Sequence, residues 1–260
     1  MMEDVYVSKR NDGIAFLVIN KPQRKNAISG SMMDLLSDAL LKLDADDEVR
    51  VIILKGEGDN FSAGGDLKQG GSEGLSVEQG RKLLKKYIRT IQTIQQIAKP
   101  VIAMVDGWAV GGAMSMALAC DIIYVSDRVK FTSNFLKVGI IPEMGVMMFL
   151  PQLIGPYRAK ELWFTGRVVG AEEAYKMGFA NKVLPAEELE ESTIAFAQEV
   201  ASVSAMSVQI TKGITNSTMS PMLNLVMDAE STASPFCTQT AEYKEIIAKF
   251  TKSKKQSLRK

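Results

Sequence analysis

Between Val101 and Cys120 the chain reads VIAMVDGWAVGGAMSMALAC. A β-branched apolar run gives way to Gly107-Trp108 and then Gly111-Gly112, and no charge follows until Asp121. The pattern predicts a buried strand, a tight turn and a buried helix whose first turn starts at the glycines. A helix start presents N–H groups that no carbonyl satisfies, together with a partial positive charge. Glycine at that point lets a ligand oxygen approach the backbone closely. A packing turn needs the same residues, so this pair alone decides nothing. A second segment tips the balance. Asn60–Lys68, NFSAGGDLK, follows the predicted strand Val51–Leu54 and presents the N–H groups of Ala63, Gly64 and Gly65. Two strand-fed glycine turns can aim two amides at one oxygen, the arrangement that stabilises an oxyanion.

The 260 residues include no histidine, which narrows the chemistry sharply. A Ser-His-Asp triad, a Cys-His pair and histidine-ligated zinc are excluded within one chain. Acid–base work near neutral pH therefore falls to a carboxylate, with Lys, Tyr or water as weaker substitutes. The 31 basic and 30 acidic residues leave a net charge of +1, which gives no electrostatic reason to expect nucleic acid. Cys120 and Cys237 fit neither a disulfide framework nor a metal cluster and suggest a reducing compartment. No apolar run reaches the ~20 residues of a membrane span. The start, MMEDVYVSKR, lacks the apolar core of a secretory signal. The expectation is a cytoplasmic protein without a membrane or nucleic-acid partner.

In chain order, Val5–Lys9 and Ile14–Ile19 read as strands joined at Asn11-Asp12-Gly13. A helix capped near Ser29 or Ser31 follows the polar loop Lys21–Asn26. Further strands are predicted at Arg50–Leu54, Asp121–Val125, Lys130–Phe131 and Asn181–Leu184. Apolar residues recur at helical spacing over Val77–Ile97, and Lys99-Pro100 stops that helix. Shorter helices are predicted at Met147–Leu153, Pro156–Thr165 and Ala171–Met177. The glycine- and serine-rich QGGSEGLS reads as a mobile loop, and beyond Pro185 the chain reads as helical to about Lys252. Strand–turn–helix units ending in helices predict an α/β core with a helical C-terminal part.

The ordered set KPQRKNAIS, FSAGGDLK, KPVIAMVDGWAVGGAMSMALACDIIY, GIIPEMG and FTGRVVGAEEAYKMGFANKV resembles the crotonase (enoyl-CoA hydratase/isomerase) superfamily over nearly the whole length. That resemblance implies a spiral of ββα turns over residues 1–190 holding an acyl-CoA site. It also implies a helical region, 191–260, that builds a homotrimer or a dimer of trimers. The substrate would be a coenzyme A thioester, with coenzyme A entering as part of the substrate and no separate cofactor or metal. Its carbonyl oxygen would sit between the amides of Ala63 and Gly112. Lys21, Arg24 and Ala27 would lie near the nucleotide, with Asp66 and Leu67 near the adenine.

The chain departs from the two-glutamate hydratases at both acidic positions, where it carries Ser115 and Phe135; Phe135 is then expected to contact the substrate. Glu143, in GIIPEMG, resembles the catalytic glutamate of Δ3,Δ2-enoyl-CoA isomerases, which follows a proline or similar residue in this loop. Alone, Pro142-Glu143 also fits the first turn of a helix, where the dipole favours an acid. The implied activity is a shift of a double bond from Δ3 to Δ2 through a dienolate. Hydration of an enoyl-CoA, a decarboxylating relative or a non-catalytic acyl-thioester binder remain open alternatives.

Overall fold

A computed structural model of the chain describes residues 3–66 and 74–257, with side chains through 249. Leu67 and residues 69–73 of the glycine–serine segment lie outside the described residues. Strands β1 (Val5–Lys9) and β2 (Ile14–Ile19) form an antiparallel hairpin, registered from Val5 opposite Ile19 to Lys9 opposite Ala15. Helix α1 (Gly30–Asp44) then leads to β3 (Val51–Gly56), which pairs parallel with β2. The Ser29 hydroxyl caps α1 by accepting the Met32 N–H, and Ser76 and Gln79 form a reciprocal capping box at α2 (Val77–Gln96).

The central segment resolves into β4 (Val101–Val105), β5 (Trp108–Val110) and α3 (Gly112–Leu118). Next come β6 (Ile122–Ser126), β7 (Lys130–Thr132), α4 (Val146–Ile154), α5 (Pro156–Thr165), β8 (Val169–Gly170), α6 (Ala171–Met177) and β9 (Lys182–Leu184). Helices α7 (Leu189–Ser202), α8 (Ala205–Cys237) and α9 (Ala241–Ser257) complete the described chain. Among the described residues, one sheet runs β1-β2-β3-β4-β6-β9 and a smaller one runs β5-β7-β8.

The alternation between sheets explains the ββα units that the family resemblance implies. β4 joins the large sheet, β5 steps across to the small one beside β7, and α3 follows. The sequence pattern predicts a turn where β5 lies, because three residues just ahead of Gly111-Gly112 carry too little periodicity to mark a strand. The same brevity hid β8.

The inner strands of the large sheet, β2, β3, β4 and β6, are buried on both faces, so their apolar runs are nearly continuous, whereas the edge strands β1 and β9 are partly exposed. In β3, Ile52 and Leu54 enter a core with α1, α2 and α3, whereas Val51 and Ile53 pack with Leu189 and Ala197 of α7. The 33-residue α8 crosses α2 and α4 and so returns the C-terminal part of the chain to the glycine turns. No described helix is long and apolar enough to cross a membrane.

Candidate functional site

The glycine turn after β3 is laid out as a short strand-like segment. On one side, Ser62 N–H donates to Trp108 O and Val110 N–H donates to Ser62 O. On the other side, Ile28 N–H donates to Gly64 O and Asp66 N–H donates to Ile28 O, both at 2.8 Å. Gly64 has φ +80°, and a Cβ there would come within 2.4 Å of Val110 O, so only glycine fits between the two neighbours.

This pairing corrects one sequence expectation. Ala63 N–H donates to Lys25 O at 2.8 Å, so that amide is already used within the fold. Gly65, two residues on, lines the cavity and has no hydrogen bond to its N–H among the described residues. Gly112, the first residue of α3, also lines the cavity, and its N–H has no intrahelical acceptor. Within the two glycine turns, the amides of Gly65 and Gly112 thus line the cavity with no acceptor among the described residues.

A cavity of about 150 Å³ is bounded by these glycines, α2, the Phe135–Val138 turn, the Glu143 loop and α8. Its walls are mainly apolar, with Leu83, Leu84, Phe135, Val138 and Ile140 among them. Two carboxylates also line it, Asp66 and Glu143. Asp66 is 4 % exposed and is paired with Arg24 at 2.7 Å. Glu143 forms no ion pair among the described residues. Burial pushes its carboxyl up to about 7, and a hydrogen bond from Ser234 Oγ to Oε1 works against that rise. A carboxylate titrating near neutrality has the basicity that proton abstraction beside a carbonyl requires.

Glu143 does not start a helix. It sits in the loop before α4, where Met144 (φ 65°) and Gly145 (φ 78°) turn the chain before Val146. The helix-dipole explanation for an acid there is thus removed. Ser115, at the first hydratase-type position, donates through Oγ to Glu143 O at 2.9 Å and ties α3 to the acidic loop. In Met144–Phe149 only Met144 faces the cavity; Val146, Met148 and Phe149 belong to the core.

Sequence reasoning missed the contribution of α8. Besides Ser234, it places Glu230 against the acidic loop, where Oε2 accepts the Gly145 N–H at 2.9 Å. Burial, with the charge of Glu143 adding to it, pushes the Glu230 carboxyl up to about 8. The signal available was weak: two small polar residues and an acid at helical spacing in MDAESTAS. The expected nucleotide-side residues are brought partly together. Arg24 meets Asp66, and Ala27 is buried in the segment pinned to the glycine turn. Lys21 is buried too, with Nζ 3.4 Å from Asp4.

Comparison with known proteins adds what geometry alone leaves general. Residues 9–259 match the family described as enoyl-CoA hydratase/isomerase. The chain belongs to that family. It is similar to a crotonyl-CoA hydratase from Syntrophomonas wolfei, 31 % identical over 96 % of this chain and 95 % of the relative. A peroxisomal Delta(3,5)-Delta(2,4)-dienoyl-CoA isomerase from Arabidopsis thaliana is 35 % identical over 62 % of each chain. Among solved structures, an enoyl-CoA hydratase/isomerase from Pseudoalteromonas atlantica superposes with a TM-score of 0.87 at 29 % identity, covering 96 % of this chain and 98 % of that one. The enoyl-CoA hydratase/isomerase family acts on acyl-CoA, and its spiral α/β fold with a helical C-terminal region is the one found here.

Proposed function

We propose that the chain moves a double bond from Δ3 to Δ2 of an enoyl-CoA, with Glu143 as the single acid–base group. The observation carrying this reading is that Glu143 lines the same cavity as the two unspent amides, while the hydratase-type acidic positions hold Ser115 and Phe135. Glu143 takes a proton from C2. The electrons move into the thioester carbonyl and the adjacent double bond, giving a dienolate. The developing negative charge on oxygen is held by the Gly65 and Gly112 N–H groups. Losing one such donor typically raises a barrier by about 3 kcal/mol. The same carboxyl returns the proton at C4, so protons and charge balance without water or a second base.

Phe135 supports this reading by filling with an aromatic ring the place from which a second carboxylate would direct water. Arg24, Lys21 and Ala27 are assigned to the coenzyme A side of the substrate, and a homotrimer or its dimer is the assembly that accompanies this reading. Stereospecific addition of water is the competing reaction, favoured by the similarity to a crotonyl-CoA hydratase. Separate incubations with 3-enoyl-CoA and 2-enoyl-CoA distinguish the two. The expected outcome is conversion of the first to the 2-enoyl product with no 3-hydroxyacyl-CoA from the second. Rapid hydration of 2-enoyl-CoA with no isomerisation would overturn the proposal.

A further inference from the structure

Helix α8 holds two polar side chains one turn apart, Glu230 and Ser234, and both are 2 % exposed. Glu230 Oε2 accepts the Gly145 N–H, while its Oε1 is buried with no hydrogen-bond partner among the described residues. Ser234 lines the cavity and donates to Glu143 Oε1. From the opposite side, Ser115 Oγ donates to the Glu143 carbonyl. The acidic loop is thus held before and after its turn, and one oxygen of the carboxyl group is already committed to α8.

We propose that Ser234 is the positioning residue of the site: its hydroxyl fixes Glu143 Oε1 and leaves Oε2 as the oxygen that meets the substrate carbon. The proposal rests on Glu143 being the base. The terminal torsion of a glutamate is broad and roughly two-fold, so an untethered carboxylate wanders between orientations. A donor on one oxygen removes that freedom and keeps the other at a constant reach, which is how positioning contributes to rate. A hydroxyl donating to the ionised form also favours that form.

The remaining groups around Glu143 cannot substitute for this contact. Tyr87 approaches from α2, but its hydroxyl donates to Ile28 O at 3.1 Å. Glu230 is itself a carboxyl, spent on the Gly145 N–H, and the charge of Glu143 helps to push its value up. Asp66 lines the same cavity but is an acid paired with Arg24, so it offers no donor. Among the described residues, Ser234 is the one side chain that donates to the Glu143 carboxyl.

The test compares the wild type with Ser234→Ala and Ser234→Thr, using the pH dependence of kcat on 3-enoyl-CoA. In parallel, the Glu143 carboxyl is titrated without substrate by infrared difference spectroscopy, with Glu143→Gln as the blank. Loss of the donor raises the carboxyl pKa, so the rising limb of the rate profile moves to higher pH by about one unit. The variant is then about tenfold slower than wild type near pH 6, and the deficit shrinks above pH 9. Threonine keeps the hydroxyl and brings the limb and the infrared midpoint back. An unchanged infrared midpoint in Ser234→Ala with kcat at the wild-type level, or a uniform rate loss that Ser234→Thr does not restore, would overturn the proposal. Absence of turnover by the wild type on any enoyl-CoA would refute the base assignment instead, and the infrared midpoint would still decide the role of Ser234.

Discussion

At Gly112 one hydrogen atom decides what the amide can reach. A Cβ built there would lie 2.5 Å from Met144 Sδ, inside the loop that carries Glu143. A Gly112→Val chain is therefore expected to fold and to lose at least a hundredfold in kcat/KM, because the branched side chain blocks the approach to the N–H and displaces Met144. At Gly65 a Cβ would meet nothing within 4 Å, so Gly65→Ala should keep its melting temperature within about 2 °C of wild type. Steady-state kinetics and thermal melts on the two variants check both expectations. A Gly112→Val enzyme with wild-type kcat/KM would remove that amide from the mechanism. The contrast also marks what a string of letters hides. FSAGGDLK displays several candidate donors, but the amide at Ala63 is taken by Lys25 O, a contact across the fold between segments far apart in sequence. Glu143 was legible because no histidine competes for the role and an apolar loop surrounds it. Ser234 was not, since it meets Glu143 across 91 residues and has the composition of an ordinary helix position.

Among the elements, α2 and α8 form the wall that closes the cavity, and Gly80 lets them approach. A Cβ at Gly80 would come within 3.2 Å of Pro235, the residue next to Ser234. Gly80→Leu should force the helices apart, at about 1–3 kcal/mol for overpacking of this kind. The displacement also draws Ser234 away from Glu143, so turnover should fall by more than the stability loss predicts. Denaturant unfolding and kcat, measured on the same preparation, test this coupling; a destabilised enzyme with unchanged kcat would contradict it. Long periodic elements such as α1 and α2 were readable because one face of each must be buried, whereas the separate helices after Pro185 read only as one helical stretch. Short ones such as β5 and β8 take their identity from the partner strand. The passage of α8 through Pro221 and Pro235 without a break likewise depends on packing against α2 and α4.

For the molecule as a whole, the two enclosed carboxyls link stability to pH in a direction opposite to that of most acidic residues. The ordinary value of each is 4.5; in the folded chain Glu143 rises to about 7 and Glu230 to about 8. Between those limits the folded protein holds protons that the unfolded chain has released. Stability must then fall as pH rises from about 4.5 to 8 and level off above that range. Asp12 and Asp46 have lowered pKa values and act with the opposite sign, but their effect is confined to more acidic solution. The surface pairs add little to either trend, since exposed ion pairs contribute about 0–1 kcal/mol. The melting temperature of the wild type should accordingly drop by several degrees between pH 5.5 and 8.5. Replacing Glu230 with glutamine keeps an acceptor for the Gly145 N–H but removes the ionisable proton, so the drop should become shallower. The gain should appear at pH 8.5, where the wild-type side chain is forced to ionise in a buried place, and not at pH 5.5. A Glu230→Gln chain whose melting curve tracks the wild type across the range would mean that Glu230 reaches solvent in the folded protein.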